Sequence, residues 1–234
     1  MTINSLVESV ETKDAPIPIG PYSQACITPD VLSTSGQIGL NPDTKELEDD
    51  AVKQTLQAIR NVEAIKKEGR ERVRNLRVKK DMERHMISYE NRVFIAADSV
   101  DKERIRRVCI NRLFPGTLEY IDAEELPLKA LVEIRLKETY GYPKPEFYTR
   151  TSVHSCNGNG SDAIAEIEKE LEGRGFSLKG VFYAQVCTKS FERNYIAFNE
   201  EFARSFPHKP SRAMFQQKIQ QDIEMFCEAY RGIS

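Results

Sequence analysis

The chain has no tryptophan and only three histidines, His85, His154 and His208, none at a spacing that would hold a metal ion. A histidine-based metal centre is therefore not expected, and nothing in the sequence calls for a cofactor. Cysteine is sparse and odd in number. Cys26, Cys109, Cys156, Cys187 and Cys227 lie far apart, mostly within apolar runs, and read as small buried residues of a reducing compartment rather than as disulfide partners. No apolar stretch approaches the ~18 residues of a membrane-spanning helix. The opening residues, MTINSLVESVETKD, lack a basic segment followed by a long apolar one, so no membrane partner is expected and the location reads as cytoplasmic. A nucleotide-binding glycine loop is also missing, because Gly158 and Gly160 precede a predicted helix without the accompanying lysine. Ser33 and Ser35 have no adjacent base that would make either a nucleophile. Charge of one sign is lacking too: 34 Lys and Arg stand against 36 Asp and Glu, which removes any global attraction for nucleic acid or an anionic surface.

What is present suits a folded protein of two compact units. The 234 residues are 40% apolar and 9% aromatic, enough to build real cores. Leu47 to Glu68 places Val52, Leu56, Ile59, Val62 and Ile65 three and four residues apart, which predicts an amphipathic helix led by Asp49 and Asp50 and stopped by Gly69. Lys66 to Arg84 then carries nine basic residues against four acids. This run permits RNA contact through phosphate neutralisation, but no aromatic side chain interleaves to stack bases, and it reads as a solvated strand and loop face. Asn91 to Ala97 predicts a strand. A helix capped by Asp98 or Ser99 follows, with Ile105, Val108, Cys109 and Leu113 on one face. Leu128 to Lys137 alternates, with Val132, Ile134 and Leu136 on one side and Glu133 and Arg135 on the other. After the proline-containing linker TYGYPKP, the second half runs strand, turn, helix, then Val181 to Thr188 as a strand. An aromatic helical stripe follows (Phe191, Tyr195, Phe198, Phe202, Phe206), and Ile223 to Tyr230 closes as a strand.

The most specific wording lies between Pro16 and Pro42, PIPIGPYSQACITPDVLSTSGQIGLNP. It predicts a β-hairpin turning at Thr28-Pro29-Asp30. The segments IGPYSQA and STSGQIGLNP resemble the opening of the RidA/YjgF family, many of whose members hydrolyse reactive enamines and imines. FNEEFARSFPHKPSRAMFQ, in the second half, is similar to the same family's asparagine-bearing helix and following arginine segment. The resemblance implies an α+β protein of two RidA-like (chorismate-mutase-like) units, each a mostly antiparallel sheet with two helices on one face. Unit one covers residues 1–140 with a basic insertion near 66–86; unit two covers 141–234 with an abbreviated opening hairpin. Such a pair is in turn similar to the C-terminal region of eukaryotic diphthine-ammonia ligases of diphthamide biosynthesis. Those enzymes carry an ATP-pyrophosphatase unit ahead of the pair, and its Ser-Gly-Gly-x-Asp-Ser loop is absent here, so that partner is expected in cis or in trans.

Carried over residue by residue, the family pattern divides between the two halves. The first matches Tyr22, Ser35, Gly36 and Glu133 but has Leu118 at the arginine position. The second matches Asn199 and Arg212 but has Phe226 or Cys227 where the glutamate belongs, and Met214 at a frequent cysteine. The resemblance implies that Arg212 anchors a small carboxylate ligand, Glu133 handles water and protons, and Tyr22, Ser35, Gly36 and Asn199 bind substrate in clefts between units packed as in a trimer, within a homo-oligomer. The function that the resemblance implies is a binding module related to the ligase C-terminal region, holding a small carboxylate, imine or ammonia-derived ligand at a unit interface. One alternative is a composite deaminase site of the 2-iminobutanoate type, in which Arg212 and Asn199 complete Tyr22, Ser35 and Glu133. A RidA-type endoribonuclease or RNA-binding protein is the other. Taken singly, Arg212 also reads as a surface residue, Glu133 as the solvent-facing member of its strand, Ser35 and Gly36 as hairpin shape, and Tyr22 as packing.

Overall fold

A computed structural model describes residues 7–78, 86–113, 116–140, 148–155, 160–217, 219 and 223–230. The predicted hairpin is present. Strands β2 (Ala25–Ile27) and β3 (Val31–Thr34) pair antiparallel, and the Thr28 hydroxyl accepts the Val31 amide across the turn at 3.0 Å. A short β1 (Glu8–Val10), not foreseen from the sequence, adds outside β2. After an interruption at Ser35 and Gly36 the chain resumes as β4 (Gln37–Ile38), which pairs with a later strand.

Helix α1 (Ala51–Val78) corrects two expectations. Asp50 caps it, its carboxylate accepting the amides of Val52 and Lys53 at 2.9 Å. The helix does not stop at Gly69 but continues into the basic run. Gly69 serves packing instead: a Cβ there would stand 2.5 Å from Leu32 Cδ1. Good helix formers on both sides carry the helix through it. The basic stretch is therefore helical where described, with residues 79–85 outside the described part. Arg70 grips the buried Glu138 through Nε and Nη2, and Tyr140 donates to the same carboxylate at 2.6 Å.

Strands β5 (Met86–Ala96), β6 (Thr117–Ala123) and β7 (Val132–Tyr140), with helix α2 (Lys102–Arg112), complete a seven-stranded sheet of order β1-β2-β3-β7-β5-β6, with β4 also on β7. The sequence reading missed β6, whose mixture of exposed and half-buried residues gives no clean period. The second half contains β8 (Tyr148–Ser155), α3 (Gly160–Gly173), β9 (Val181–Thr188), α4 (Phe191–Ser205), β10 (Ser211–Gln216) and β11 (Ile223–Tyr230), with sheet order β10-β9-β11-β8. The same connection occurs twice. A strand leads through a helix to a parallel neighbour (β5-α2-β6, β9-α4-β10), and the next strand returns antiparallel beside the first. Among the described residues no helix is long and apolar enough to cross a membrane. Four of the five cysteines are free and buried; Cys156 lies outside the described residues.

Each sheet has helices on one face. Ile59, Val62, Ile105 and Cys109 pack on Val93, Ile134 and Leu136 of the first sheet. In the second, Ile164, Ile167, Phe198, Phe202 and Phe206 pack on Ala184, Val186 and Met225. The sheets' remaining faces meet in a shared core that includes Phe94, Tyr183, Ala213 and Phe215, with the rings of Phe94 and Phe215 4.8 Å apart. That shared face also buries charge. Lys137 lies 2.9 Å and Arg135 3.5 Å from Glu228 across the interface, all three side chains at most 3% exposed, and the half-exposed Arg150 adds a third cation at 3.1 Å. Arg135 stacks 3.3 Å from the centre of the Tyr183 ring and donates to Ser33 at 2.9 Å. The three cations hold the Glu228 carboxyl below its ordinary value against the opposing effect of burial. Glu228→Ala strands two buried cations and is expected to destabilise the fold by about 3 to 5 kcal/mol in urea unfolding.

Candidate functional site

At one end of the junction between the sheets the two halves interlock through backbone and hydroxyl groups. The Gly36 amide donates to the Arg212 carbonyl at 3.0 Å, and the Arg212 amide donates to Ser35 Oγ at 2.8 Å. Ser35 Oγ in turn donates to the Ser23 carbonyl, and Ser23 bridges to Ser211 in parallel register. These contacts set the first residues of β10 against the gap between β3 and β4. Helix α1 fixes the other flank, where the buried Asn61 amide donates to the carbonyls of Ile38 and Leu40 at 3.1 and 2.9 Å.

The result is a small cavity of about 40 Å³ lined by Tyr22, Gly36, Gln37, Glu133, Arg212 and Met214 together with an apolar wall of Pro16, Ile17, Pro18, Ile19, Ile38, Leu40 and Pro127. Glu133 and Arg212 are each 2% exposed, so neither is the surface residue that its strand position alone allowed. Strand β7 alternates as expected, but its polar face turns toward the second sheet rather than toward water. A Cβ at Gly36 would lie 1.6 Å from Glu133 Oε1. The carboxyl group thus occupies the volume that any other residue would fill. Burial pushes the Glu133 carboxyl up to about 8, opposed by the positive charge of Arg212. At neutral pH it is mostly a neutral acid, close enough to its midpoint to give and regain a proton.

Arg212 is held by aromatic faces. Its guanidinium carbon lies 4.6 Å from the Tyr22 ring centre and 4.9 Å from that of Phe202, cation–π contacts that help to orient the planar cation. Gly20 permits this approach, since a Cβ there would stand 2.8 Å from Arg212 Nη2. Of the six residues singled out from the sequence, Tyr22, Gly36, Glu133 and Arg212 line the cavity. Ser35 is fully buried and positions the Arg212 backbone instead of lining it. Asn199 on α4 is not among the lining residues; its Oδ1 is buried and has no hydrogen-bond partner among the described residues.

Sequence reasoning did not assign site roles to Gly20, Phe202 or the apolar wall. Phe202 was legible only as a core residue of its helical stripe, and helical spacing cannot tell a ring that packs from one that also stacks on a cation. Gly20 sits inside the motif IGPY, where its closeness to a residue of the other half is invisible.

An arginine beside an un-ionised glutamic acid in a largely apolar cleft can pair with a ligand carboxylate and exchange a proton with the adjacent reacting atoms. Residues 12–79 match the sequence profile of the family described as Endoribonuclease L-PSP. A RutC family protein of Aquifex aeolicus is 43% identical over 63 residues, 27% of this chain and 50% of that protein. The 2-iminobutanoate/2-iminopropanoate deaminase of Escherichia coli is 41% identical over 58 residues, 25% of this chain and 45% of that protein. The chain spans about half the length of the curated relatives it matches. Among solved structures, the YjgF gene product of E. coli aligns at a TM-score of 0.44 and 25% identity, covering 56% of this chain and 98% of that one. Yeast Mmf1 aligns at 0.46 and 23%, covering 57% and 98%. The stretch similar to these proteins includes Tyr22, Ser35 and Gly36.

Two outcomes follow from the buried carboxyl. In carbon-13 NMR titration, Glu133 should show a midpoint near 8, moving upward in Arg212→Ala because the opposing positive charge is lost. Its folded pKa lies above the unfolded value, so the folded state binds the extra proton and stability falls as pH rises from the ordinary carboxylate range to about 8. Glu133→Gln should therefore gain stability over the wild type across that interval, by up to a few kcal/mol at about 1.4 kcal/mol per pH unit, and the gain should level off above it.

Proposed function

We propose that the chain is a RidA-type imine or enamine hydrolase with a composite site formed by two RidA-like units, residues 1–140 and 141–234, of one polypeptide. The convergence of Glu133 from the first half and Arg212 from the second on one cavity is the observation that supports this reading. The substrate is a small 2-imino acid or its enamine tautomer, of the kind named for the E. coli deaminase. Arg212 pairs with the carboxylate. Glu133 gives its proton to the substrate, to nitrogen in the imine or to carbon in the enamine, leaving an electrophilic iminium carbon and a carboxylate base.

A water molecule attacks that carbon as Glu133 takes one of its protons, forming a carbinolamine. Return of that proton to nitrogen expels ammonia, and the hydroxyl proton passes to the Glu133 carboxylate as the carbonyl forms, restoring the acid. The products are a 2-oxo acid and ammonia, so one water is consumed and no external oxidant or reductant is needed. The apolar wall keeps bulk water from competing for the charged groups and strengthens the Arg212 pairing. Ser35 and Gly36 act through Arg212 and Glu133: one holds the Arg212 backbone, the other leaves room for the Glu133 carboxyl.

A binding module serving an ATP-pyrophosphatase unit, as in diphthine-ammonia ligases, would use Arg212 but would not need an acid at Glu133. The volume reserved beside Gly36 for a proton-bearing carboxyl favours turnover. RNA cleavage draws no comparable support, because Arg70 and Arg72 of the basic run are engaged by Glu138, Glu68 and the Ser9 carbonyl. Trimer-like association of further chains is not required to bring Glu133 and Arg212 together.

Hydrolysis of 2-iminobutanoate above its spontaneous rate tests the proposal. Arg212→Ala and Glu133→Ala should each lower kcat/KM by roughly a hundred-fold or more. Glu133→Ala should retain binding of 2-oxobutanoate that Arg212→Ala loses. Absence of any rate above background in the wild type, with 2-oxobutanoate still bound, would favour the binding module.

A further inference from the structure

The mouth of the cavity is unusually apolar for an exposed surface. Among the described residues six large hydrophobic side chains are exposed, and Ile17 at 74%, Ile19 at 37% and Leu128 at 57% are three of them. Ile17 and Ile19 line the cavity, and Leu128 directly follows Pro127 of the same wall. Leu128 is also held in a left-handed backbone conformation, φ 55°, as is Lys129 at 59°. A leucine in that region costs about 1 to 2 kcal/mol, and burial does not offset it here because the side chain faces solvent. Strain of this kind is tolerated where a neighbouring ligand site uses the geometry.

The interior is too small to enclose a large molecule. Its volume of about 40 Å³ compares with the ~300 Å³ or more of pockets that engulf drug-sized ligands. The two groups that would engage the reacting end, Arg212 and Glu133, take up the interior, and any longer substituent must leave past the apolar wall. We infer that the rim formed by Ile17, Ile19 and Leu128 receives the side chain of the substrate, and that the enzyme selects 2-imino acids with apolar side chains of four or more carbons over those with one- or two-carbon side chains, 2-iminopropanoate and 2-iminobutanoate. This rests on the hydrolase reading of the same cavity and adds a selection that the reacting groups alone do not make. Each methylene laid against such a rim discriminates substrates modestly, and the rim as a whole is expected to give about ten-fold or more.

The test compares kcat/KM for 2-imino-4-methylpentanoate and 2-iminopropanoate in the wild type and in Ile17→Ser, Leu128→Ser and Ile17→Leu. Binding of the stable 2-oxo acids, 4-methyl-2-oxopentanoate and pyruvate, is measured in parallel by calorimetry. The expected result is a preference of roughly ten-fold or more for the longer substrate, reduced several-fold by either serine substitution and retained in Ile17→Leu. Equal hydrolysis of the two substrates, or a preference untouched by the serine variants, overturns the inference and leaves the hydrolase reading standing. If neither imine is turned over, the hydrolase reading fails and the rim is judged on binding alone. Tighter binding of the longer oxo acid, lost in both serine variants, then sustains the rim's selectivity; equal binding or none overturns it.

Discussion

The site depends on a side chain that is missing. Glu133 can carry its carboxyl into the junction of the two sheets only because Gly36 has no Cβ to occupy the same place. Once the carboxyl is there, water is excluded from it, and the free energy of ionisation shifts toward the neutral acid. Arg212 limits that shift but does not abolish it. The remaining machinery keeps these two groups together: Ser35 and the Gly36 amide hold the Arg212 backbone, Tyr22 and Phe202 hold its guanidinium, and Asn61 fixes the short strand that borders Gly36.

A second buried electrostatic group accompanies the first along β7. Glu133, Arg135 and Lys137 occupy successive positions on one face, yet their environments set them apart. Glu133 faces a cavity with a single nearby cation, and burial dominates. Arg135 and Lys137 face Glu228, whose carboxylate takes three cations and stays ionised. A buried cluster of this kind need not add net stability over apolar packing, but it requires that the second sheet meet the first in one register, because a one-residue slip would turn the charges away from each other. Correct placement of Glu228 against Arg135 and Lys137 therefore also favours correct placement of Arg212 against Glu133.

Much of this was legible in the chain. The hairpin follows from its turn chemistry, β5 and β9 from apolar runs of strand length, β7 from alternation, and the helices from their apolar spacing. The six residues drawn from the family pattern include four that line the cavity. What escaped the sequence has identifiable physical reasons. The helix α1 passes through Gly69 because tertiary packing against Leu32 outweighs the helix-breaking tendency of one glycine. Strand β6 lacks a readable period because its faces are both partly covered. Alternation in β7 showed which residues share a face but not that the polar face would be covered by another sheet. The role of Gly20 depends on a contact with Arg212 in the other half of the chain, and that of Phe202 on how β10 returns against α4, neither of which helical or strand spacing encodes.

The bond between the Arg212 amide and Ser35 Oγ joins positions 177 residues apart on one polypeptide. A cleft assembled from separate molecules exists only as long as those molecules meet, and it thins out on dilution. Here the partner is tethered, so the local concentration of one half around the other is set by the length of the intervening chain and not by the amount of protein present. Glu133 and Arg212 accordingly stay on one cavity at the lowest expression levels. The same covalent link frees the two halves to diverge, since each needs to keep only its own share of the site.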